Sequence, residues 1–304
     1  LNTVRLWGQL RPYVHPILYC TDTENSTISS ANGKVPCQFW TEICDRHGWG
    51  MRQVPKFGPS SYPILPAMYE DTMAYSKSVF YAYANGDILF DQSLLMTLTY
   101  LMKVLKGTKN VLIVGQRQNY QMHQGDYVIK SINNLTKLAE DADYFIPLGM
   151  DYFITRAEGF PWSDVPAIIV GSLRYDNWIV YKGLKSNQVV IDATDSILAL
   201  HQSDQEGNYE STHREQAWYN SQILGNFDYL LGSTKCATMR VTSDLHLEDR
   251  LGPCQKEQEN CDDFYKENCL HRLQKDKIAP TKLEYFEKQL SVHENFSIFN
   301  KLDE

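Results

Sequence analysis

The chain has 304 residues, of which 43% are apolar and 22% charged, and its formal net charge is −8. This composition is typical of a folded protein of one large or two ordinary domains and excludes a disordered chain. The sequence contains no run of about 18 apolar residues and no basic cluster, so it predicts neither a membrane-spanning helix nor a nucleic-acid partner.

Predicted helices and strands alternate through the N-terminal part. A short helix is expected within residues 2–11 and a strand over 14–19, followed by a loop rich in Ser, Thr, Asn and Gly over 23–36. A second short helix is predicted at Cys37–His47. A third, with the apolar spacing of an amphipathic helix over 65–73, leads into the next strand.

The stretch at 79–91, VFYAYANGDILFD, carries the first candidate site. Its aromatic and β-branched run predicts a buried strand, and Asn85-Gly86 predicts a turn that lifts Asp87 out of the strand end. Ligands of open α/β sheets bind at such strand ends, and a carboxylate there can hold Mg²⁺ or Mn²⁺, which in turn can hold a diphosphate. The alternative is an ordinary strand-turn-strand with a solvated Asp.

The middle of the chain continues an α/β pattern. A helix with clear apolar period is expected over 94–105 and a buried strand over 110–115, so strand, helix and strand follow in order, as in a parallel sheet. The remaining expected elements are a polar helix at 127–141, strands at 143–146, 151–155 and 189–191, and a helix at 215–224.

The second candidate site is Arg174-Tyr175-Asp176-Asn177-Trp178, which follows a glycine and opens a predicted helix. Asp176 has two interpretations. It is either an N-cap of that helix or a general base that takes a proton from an acceptor hydroxyl.

His201 ends an apolar run and is the third candidate. It is either a structural histidine or a ligand that completes the coordination of a metal such as Mn²⁺. Arg117, directly after a predicted strand, could place a guanidinium near phosphate or be a solvated strand end.

Several common catalytic motifs are absent from the sequence. It contains no GxGxxG, GxxxxGK[ST], GxSxG or HExxH, which argues against Rossmann dehydrogenases, P-loop NTPases, α/β-hydrolases and zincins.

Seven cysteines and three N-glycosylation sequons indicate a secretory-pathway protein with some disulfides. The cysteines fall into an N-terminal trio and a C-terminal quartet without zinc-site spacing. The alternative is a cytosolic protein with buried free thiols. The cysteines are Cys20, Cys37, Cys44, Cys236, Cys254, Cys261 and Cys269, and the sequons begin at Asn25, Asn134 and Asn295.

In their order along residues 1–238, these segments resemble nucleotide-sugar-dependent glycosyltransferases of the GT-A fold. The segments that carry the resemblance are VHPILY, YANGDILFD, NVLIVGQRQN, DYFIT, AIIVGSLRYDNWIVY, TDSILALHQ and HREQAWYNSQIL. The resemblance implies an α/β fold with a Rossmann-type mixed sheet flanked by helices. It also implies transfer of a sugar, UDP-linked in our expectation, to a hydroxyl of a glycan or glycoprotein acceptor.

The resemblance also implies roles for individual residues. Asp87, with Asn85, falls on the metal-binding "DxD" position, Asp176 on the acceptor-side acidic position and His201 on the late metal-ligand position. The first acid of the motif is Asn85 in this sequence, so metal binding would rest on Asp87 and His201. Arg117 is expected on the phosphate side of the donor site.

We expect a catalytic domain over 1–239 and a Cys-containing helical extension over 240–304, with helices near 262–273 and 281–290. The expected location is the Golgi lumen or the secreted fraction, with any membrane anchor outside this sequence. Two other classes remain open. One is a catalytically silent GT-A-like scaffold that binds a glycan or protein. The other is a nucleotidyltransferase, which the absence of a Gly-rich phosphate loop after the first strand disfavours.

Overall fold

The computed structural model describes residues 1–21, 37–122, 128–203 and 216–249. Over these ranges the chain is a mixed α/β protein whose multi-stranded mixed sheets are flanked by helices. Its helices are α1 (Asn2–Gly8), α2 (Cys37–His47), α3 (Leu65–Tyr75), α4 (Ser93–Val104), α5 (Leu135–Ala139), α6 (Tyr175–Lys185) and α7 (Tyr219–Leu224). Its strands are β1 (Ile17–Cys20), β2 (Gly50–Gln53), β3 (Phe80–Ala84), β4 (Ile88–Phe90), β5 (Val111–Val114), β6 (Gln118–Gln121), β7 (Asp143–Tyr144), β8 (Tyr152–Arg156), β9 (Val189–Asp192), β10 (Ala199–Ser203), β11 (Met239–Val241) and β12 (Leu247–Asp249).

The largest sheet has six strands in the order β12-β11-β9-β5-β8-β3. Strands β5, β9 and β11 are parallel, whereas β8 is antiparallel to both β5 and β3. Strand β5 is apolar throughout and fully buried, as expected of a strand covered on both faces. Val111 and Ile113 pack on the α4 side of the sheet, and Leu112 and Val114 pack on the α6 side.

A second sheet has four strands in the order β4-β10-β6-β7. The turn at Asn85-Gly86 therefore joins two sheets, because β3 pairs with β8 while β4 pairs antiparallel with β10. Strand β10 also pairs in parallel with β6, which brings the end of β10 beside the residues that follow β5. The two sheets meet at this turn.

The predicted elements are confirmed where their apolar pattern is strong. Helix α2 has the expected bounds, and α4 and β5 lie within the expected ranges. The strand-helix-strand unit is correct in order, but β3 and β5 are separated by β8, so the sheet is mixed.

The polar helix expected over 127–141 is wrong in length, since α5 covers only Leu135–Ala139 after a single 3₁₀ turn. The reason is a local cap: the Ser131 hydroxyl accepts a hydrogen bond from the Asn133 N–H at 3.2 Å and starts the turn there. The helix expected over 215–224 begins at Tyr219, and Glu215 lies outside the described residues.

Strands β1 and β2 form a small parallel sheet next to a disulfide between Cys20 and Cys37. This bond confirms the expectation that the chain carries a disulfide. Cys44 is a buried free thiol. Of the C-terminal quartet only Cys236 lies in the described part of the chain.

The beginning of the expected C-terminal extension is part of the large sheet. Residues 240–249 contribute to β11 and β12, and β11 pairs with β9. The helices expected near 262–273 and 281–290 lie outside the described residues. Among the helices that the structure describes, none has the length and apolar character needed to cross a membrane.

Candidate functional site

The turn between β3 and β4 is held by hydrogen bonds from α1 and from β10. Its carbonyls accept hydrogen bonds from both sides: Gly86 O from the Thr3 hydroxyl at 2.6 Å and Asp87 O from the Gln202 N–H at 3.1 Å. Within the turn, the Ile88 N–H donates to Asn85 O at 3.2 Å. The backbone of Asp87 is therefore fixed between α1 and β10.

Asp87 and His201 are in direct contact. The His201 Nε2 lies 3.1 Å from Asp87 Oδ2, and its Nδ1 lies 2.8 Å from the Ser203 hydroxyl. The His201 side chain is 3% exposed and that of Asp87 is 49% exposed. Burial raises the pKa of Asp87, but the hydrogen bond and charge of His201, together with the charge of Arg117, outweigh it and leave the pKa below its ordinary value. The carboxylate is thus ionised at neutral pH.

Within the ranges that the structure describes, the second oxygen of Asp87 is an unpaired acceptor. Oδ1 is buried and has no hydrogen-bond partner in the described part of the chain. The 3.1 Å between His201 Nε2 and Asp87 Oδ2 is also close to the distance between neighbouring ligands of an octahedral cation, about 3.0 Å for bonds of about 2.1 Å. Among the described residues no group of three or more His, Cys, Asp or Glu converges on one point. Asp87 and His201 could therefore supply two ligands to a cation, and a substrate or water would have to supply the others.

The side chain of Asn85 is held by protein partners. Its Oδ1 accepts hydrogen bonds from the hydroxyls of Tyr83 at 2.8 Å and Tyr175 at 3.3 Å, and its Nδ2 donates to Asp151 Oδ1 at 2.6 Å. Both lone pairs of the amide oxygen are thereby used. In this arrangement Asn85 joins β3, β8 and α6 at the site.

Arg117 also has protein partners. Its guanidinium forms a buried ion pair with Asp151, donates to Asn119 Oδ1 at 3.0 Å and lies over the Phe145 ring at 4.3 Å. The positive charge still reaches Asp87, whose pKa it lowers. Arg117 thus acts on the site through its charge, while Asp151 neutralises most of it.

Asp176 lies at the start of α6 beside Asp151. Its carboxylate keeps some surface exposure but is surrounded by protein on most sides, and the Met150 N–H donates to it at 3.4 Å. Burial, and then the negative charge of Asp151, raise the pKa of Asp176 to about 7, although hydrogen bonds from the Asn177 and Met150 amides oppose the shift. A carboxyl with such a pKa is suited to accept and release a proton near neutral pH.

The N-cap interpretation of Asp176 is wrong in position. The N-cap of α6 is Arg174, which makes no side-chain cap hydrogen bond, and Asp176 is the second helical residue. A carboxylate in the first turn is still favoured by the helix dipole.

The hydroxyl of Tyr83 donates to Asn85 Oδ1 and is influenced by the charges of three acids. Burial raises its pKa, and the negative charges of Asp151, Asp87 and Asp176 raise it further. Asp87 and Asp176, the residues predicted as metal ligand and as base, therefore both act through their charge on one tyrosine hydroxyl.

Sequence reasoning missed Asp151, Tyr83, Tyr175 and Ser203 as parts of the site. Asp151 had a usable signal, since it directly precedes the buried strand β8 as an acid at a strand end. Tyr83, Tyr175 and Ser203 had no usable signal in the sequence, because a hydroxyl on a strand or at a helix start is common in any fold.

Comparisons of this chain with protein-family models, with curated proteins and with solved structures give no match. A function for the chain therefore has to be inferred from its fold and from the geometry of its site.

Proposed function

We propose that the chain is a glycosyltransferase that moves a sugar from a nucleotide diphosphate sugar, UDP-linked in our proposal, to a hydroxyl of a glycan or glycoprotein. Its mixed sheets would be a version of the GT-A fold. The observation that carries the proposal is the contact between Asp87 and His201, with the unpartnered Asp87 Oδ1 beside it.

In this proposal Asp87 and His201 hold Mn²⁺ or Mg²⁺. A cation bound there would offset the negative charge that develops on the departing diphosphate. Arg117 contributes a fixed positive charge on the same side, and its ion pair with Asp151 keeps the guanidinium in place. Asn85 supports the site indirectly by linking β3 to Asp151 and Tyr175.

Asp176 is the proposed general base if transfer inverts the sugar configuration. Its raised pKa means that it ionises near neutral pH and can take the proton of an acceptor hydroxyl. If transfer retains the configuration, Asp176 positions the acceptor by accepting a hydrogen bond from the same hydroxyl.

A second candidate is a scaffold of the same fold that binds a glycan or protein without catalysis. The observation that favours it is the engagement of Asn85 and Arg117 by protein partners, which competes with binding of a donor. Function depends on the site and not on the fold, so the two candidates have to be separated by ligand binding.

We also propose that the chain acts in the secretory pathway, in the Golgi lumen or outside the cell. The disulfide between Cys20 and Cys37 supports this location, because disulfides persist in oxidising compartments.

The test is thermal unfolding of the purified chain with UDP, GDP or CMP, each in Mn²⁺ or in EDTA. A ligand that binds only the folded state raises the apparent melting temperature. We expect a Mn²⁺-dependent rise with UDP, absent in Asp87→Asn and preserved in Asp195→Asn. Asp195 is an exposed acid and serves as the matched control.

If UDP raises the melting temperature equally in Mn²⁺ and in EDTA, the proposed donor site is supported, but the proposed metal roles of Asp87 and His201 are contradicted. No rise with any of the three nucleotides would contradict the transferase and favour the scaffold. If UDP does raise the melting temperature, release of UDP from a panel of UDP-sugars would identify the donor.

A further inference from the structure

Arg174 has a backbone conformation that few arginines adopt. Its φ is 72° and its ψ −2°, in the left-handed region, at the N-cap of α6. This conformation costs a residue with a side chain about 1–2 kcal/mol, and such costs concentrate at functional sites. A capping interaction does not offset the strain at Arg174, because its side chain makes no cap hydrogen bond.

The guanidinium of Arg174 lies against two aromatic rings that are themselves in contact. It is 4.7 Å from the Phe227 centroid and 5.5 Å from the Tyr229 centroid. Its Nε is buried without a hydrogen-bond partner in the part of the chain that the structure describes, while the residue as a whole stays partly exposed. The rings hold the cation but supply no hydrogen-bond acceptor.

The acids nearest in the sequence to Arg174 and to its two rings accept hydrogen bonds from backbone amides. Asp228 Oδ1 accepts a hydrogen bond from the Leu230 N–H at 3.1 Å, and Asp176 accepts from the Met150 N–H. Burial lowers the pKa of Arg174, in line with a charge that is partly desolvated and not compensated. A partly buried charge without an ion-pair partner is expensive, and an external anion at the exposed part of Arg174 would compensate it.

This guanidinium belongs to the Asp176 side of the site. Tyr229 is under the influence of both groups, because Asp176 raises its pKa and Arg174 lowers it. Arg174 is also the N-cap of α6, two residues before Asp176, so it lies close to the proposed base.

We propose that Arg174, which lies against the rings of Phe227 and Tyr229, binds an acidic group of the acceptor glycan. The group is an oxyanion, either the carboxylate of an acidic sugar or a phosphate ester. This inference rests on the proposed function, because it treats the space beside Asp176 as the acceptor site. It adds a substrate class, glycans that carry negative charge.

The test compares three sugar probes, glucuronate, glucose 6-phosphate and neutral glucose. Their binding to the protein saturated with UDP and Mn²⁺ is measured by ligand-observed NMR titration. We expect one acidic probe to bind at least about tenfold more tightly than glucose, since hydrogen bonds to a charged partner are worth that much in affinity. Which acidic probe binds distinguishes a carboxylate from a phosphate ester.

The variants are Arg174→Asn and Arg174→Lys, with Arg46→Gln as a control at an exposed arginine. Asn tolerates the left-handed conformation, so Arg174→Asn removes the guanidinium with little backbone cost. It should lose the preference for the acidic probe, Arg174→Lys should keep part of it, and Arg46→Gln all of it. Phe227→Leu keeps Arg174 but removes one ring, and should weaken the preference without abolishing it.

Equal binding of the three probes to the unaltered protein would overturn the inference, as would an acid preference that survives in Arg174→Asn. The proposed function is tested separately by the UDP-induced rise in melting temperature, which Arg174→Asn should retain. If the protein binds UDP but does not prefer acidic sugars, only this inference is contradicted. If it does not bind UDP, the proposed function is contradicted.

Discussion

His201 and Asp87 are 114 positions apart in the chain, yet the imidazole Nε2 lies 3.1 Å from the Asp87 carboxylate. The contact follows from strand register. His201 is the partner of Ile88 in the antiparallel pair of β10 and β4, so its side chain lies next to the residue that precedes β4. Ser203, two positions further on the same face of β10, holds the other ring nitrogen.

Replacing His201 should destabilise the fold as well as the site. His201→Gln removes partners from Asp87 and from the buried Ser203, and we expect a loss of about 1–3 kcal/mol in the free energy of unfolding. Urea denaturation at pH 7 measures this loss. The control is His246→Gln, an exposed histidine next to Asp244, which should leave the stability unchanged. An equal effect of the two substitutions would contradict the structural importance of the contact.

Asp176 should make stability depend on pH. Its folded pKa, about 7, is above the unfolded value, so ionising it costs more in the folded state. The stability it contributes is present below about pH 4 and is lost as pH rises toward 7. Asp176→Asn should therefore gain stability over the unaltered chain between pH 5 and pH 8, by on the order of 2–3 kcal/mol.

The measurement is the unfolding free energy of both proteins at several pH values. Asp164→Asn, at an exposed acid, is the control and should follow the unaltered chain at every pH. A constant difference between Asp176→Asn and the unaltered chain would mean that the carboxyl titrates alike in both states. The variant should also lose transferase activity if Asp176 is the base, with an apparent pKa near 7 in the pH profile of kcat/KM for the unaltered chain.

Removing only one partner of the ion pair between Arg117 and Asp151 should strongly lower the free energy of unfolding. Both side chains are about nine-tenths buried, at 8% and 11% exposure. Asp151→Ala leaves a buried guanidinium without its main counter-charge, and we expect a loss of about 3–5 kcal/mol. Adding Arg117→Met should recover part of this loss, because the uncompensated charge is removed.

Chemical denaturation of the single and double variants gives the coupling between the two residues. The matched control is Glu158→Ala, which breaks the exposed pair with Lys109 and should have a far smaller effect. Additive effects at Arg117 and Asp151 would show that the pair is not coupled in solution.

Asn134 should carry an N-glycan if the chain passes through the secretory pathway. The sequon Asn134-Leu135-Thr136 lies where the 3₁₀ turn meets α5, and both Asn134 and Thr136 are exposed. After expression in a secretory host, peptide mass spectrometry with and without N-glycanase should detect a glycan there. Asn134→Gln should abolish it, whereas Asn133→Gln, at the neighbouring exposed asparagine outside the sequon, should not. An unmodified Asn134 in secreted protein would contradict this prediction.

Local pattern predicted several elements and three of the central residues of the site. The bounds of α2 and the positions of α4 and β5 follow from apolar spacing that is visible within a dozen residues. Asp87, Asp176 and His201 were identifiable because each is a polar residue that interrupts or ends an apolar stretch. The short α5 was mispredicted because a single serine cap outweighed the helical composition around it.

The partners of these residues were not predictable in the same way. Asp151 reaches Asn85 because β3 and β8 are antiparallel neighbours, with Ala84 opposite Tyr152. Which strands pair, and in which register, depends on burial of whole faces and not on the residues of one strand.

The sequence by itself determined the order of β3, α4 and β5, the turn at Asn85-Gly86 and the acidic and histidine side chains available for chemistry. These are local properties, set by backbone preference and by the spacing of apolar residues. Only the tertiary structure decided that Asp87 meets His201, that Asn85 and Arg117 turn to protein partners, and that Asp176 has a pKa of about 7. The physical reason is that strand pairing, desolvation and the distances between charges arise from segments far apart in the chain, once they pack together.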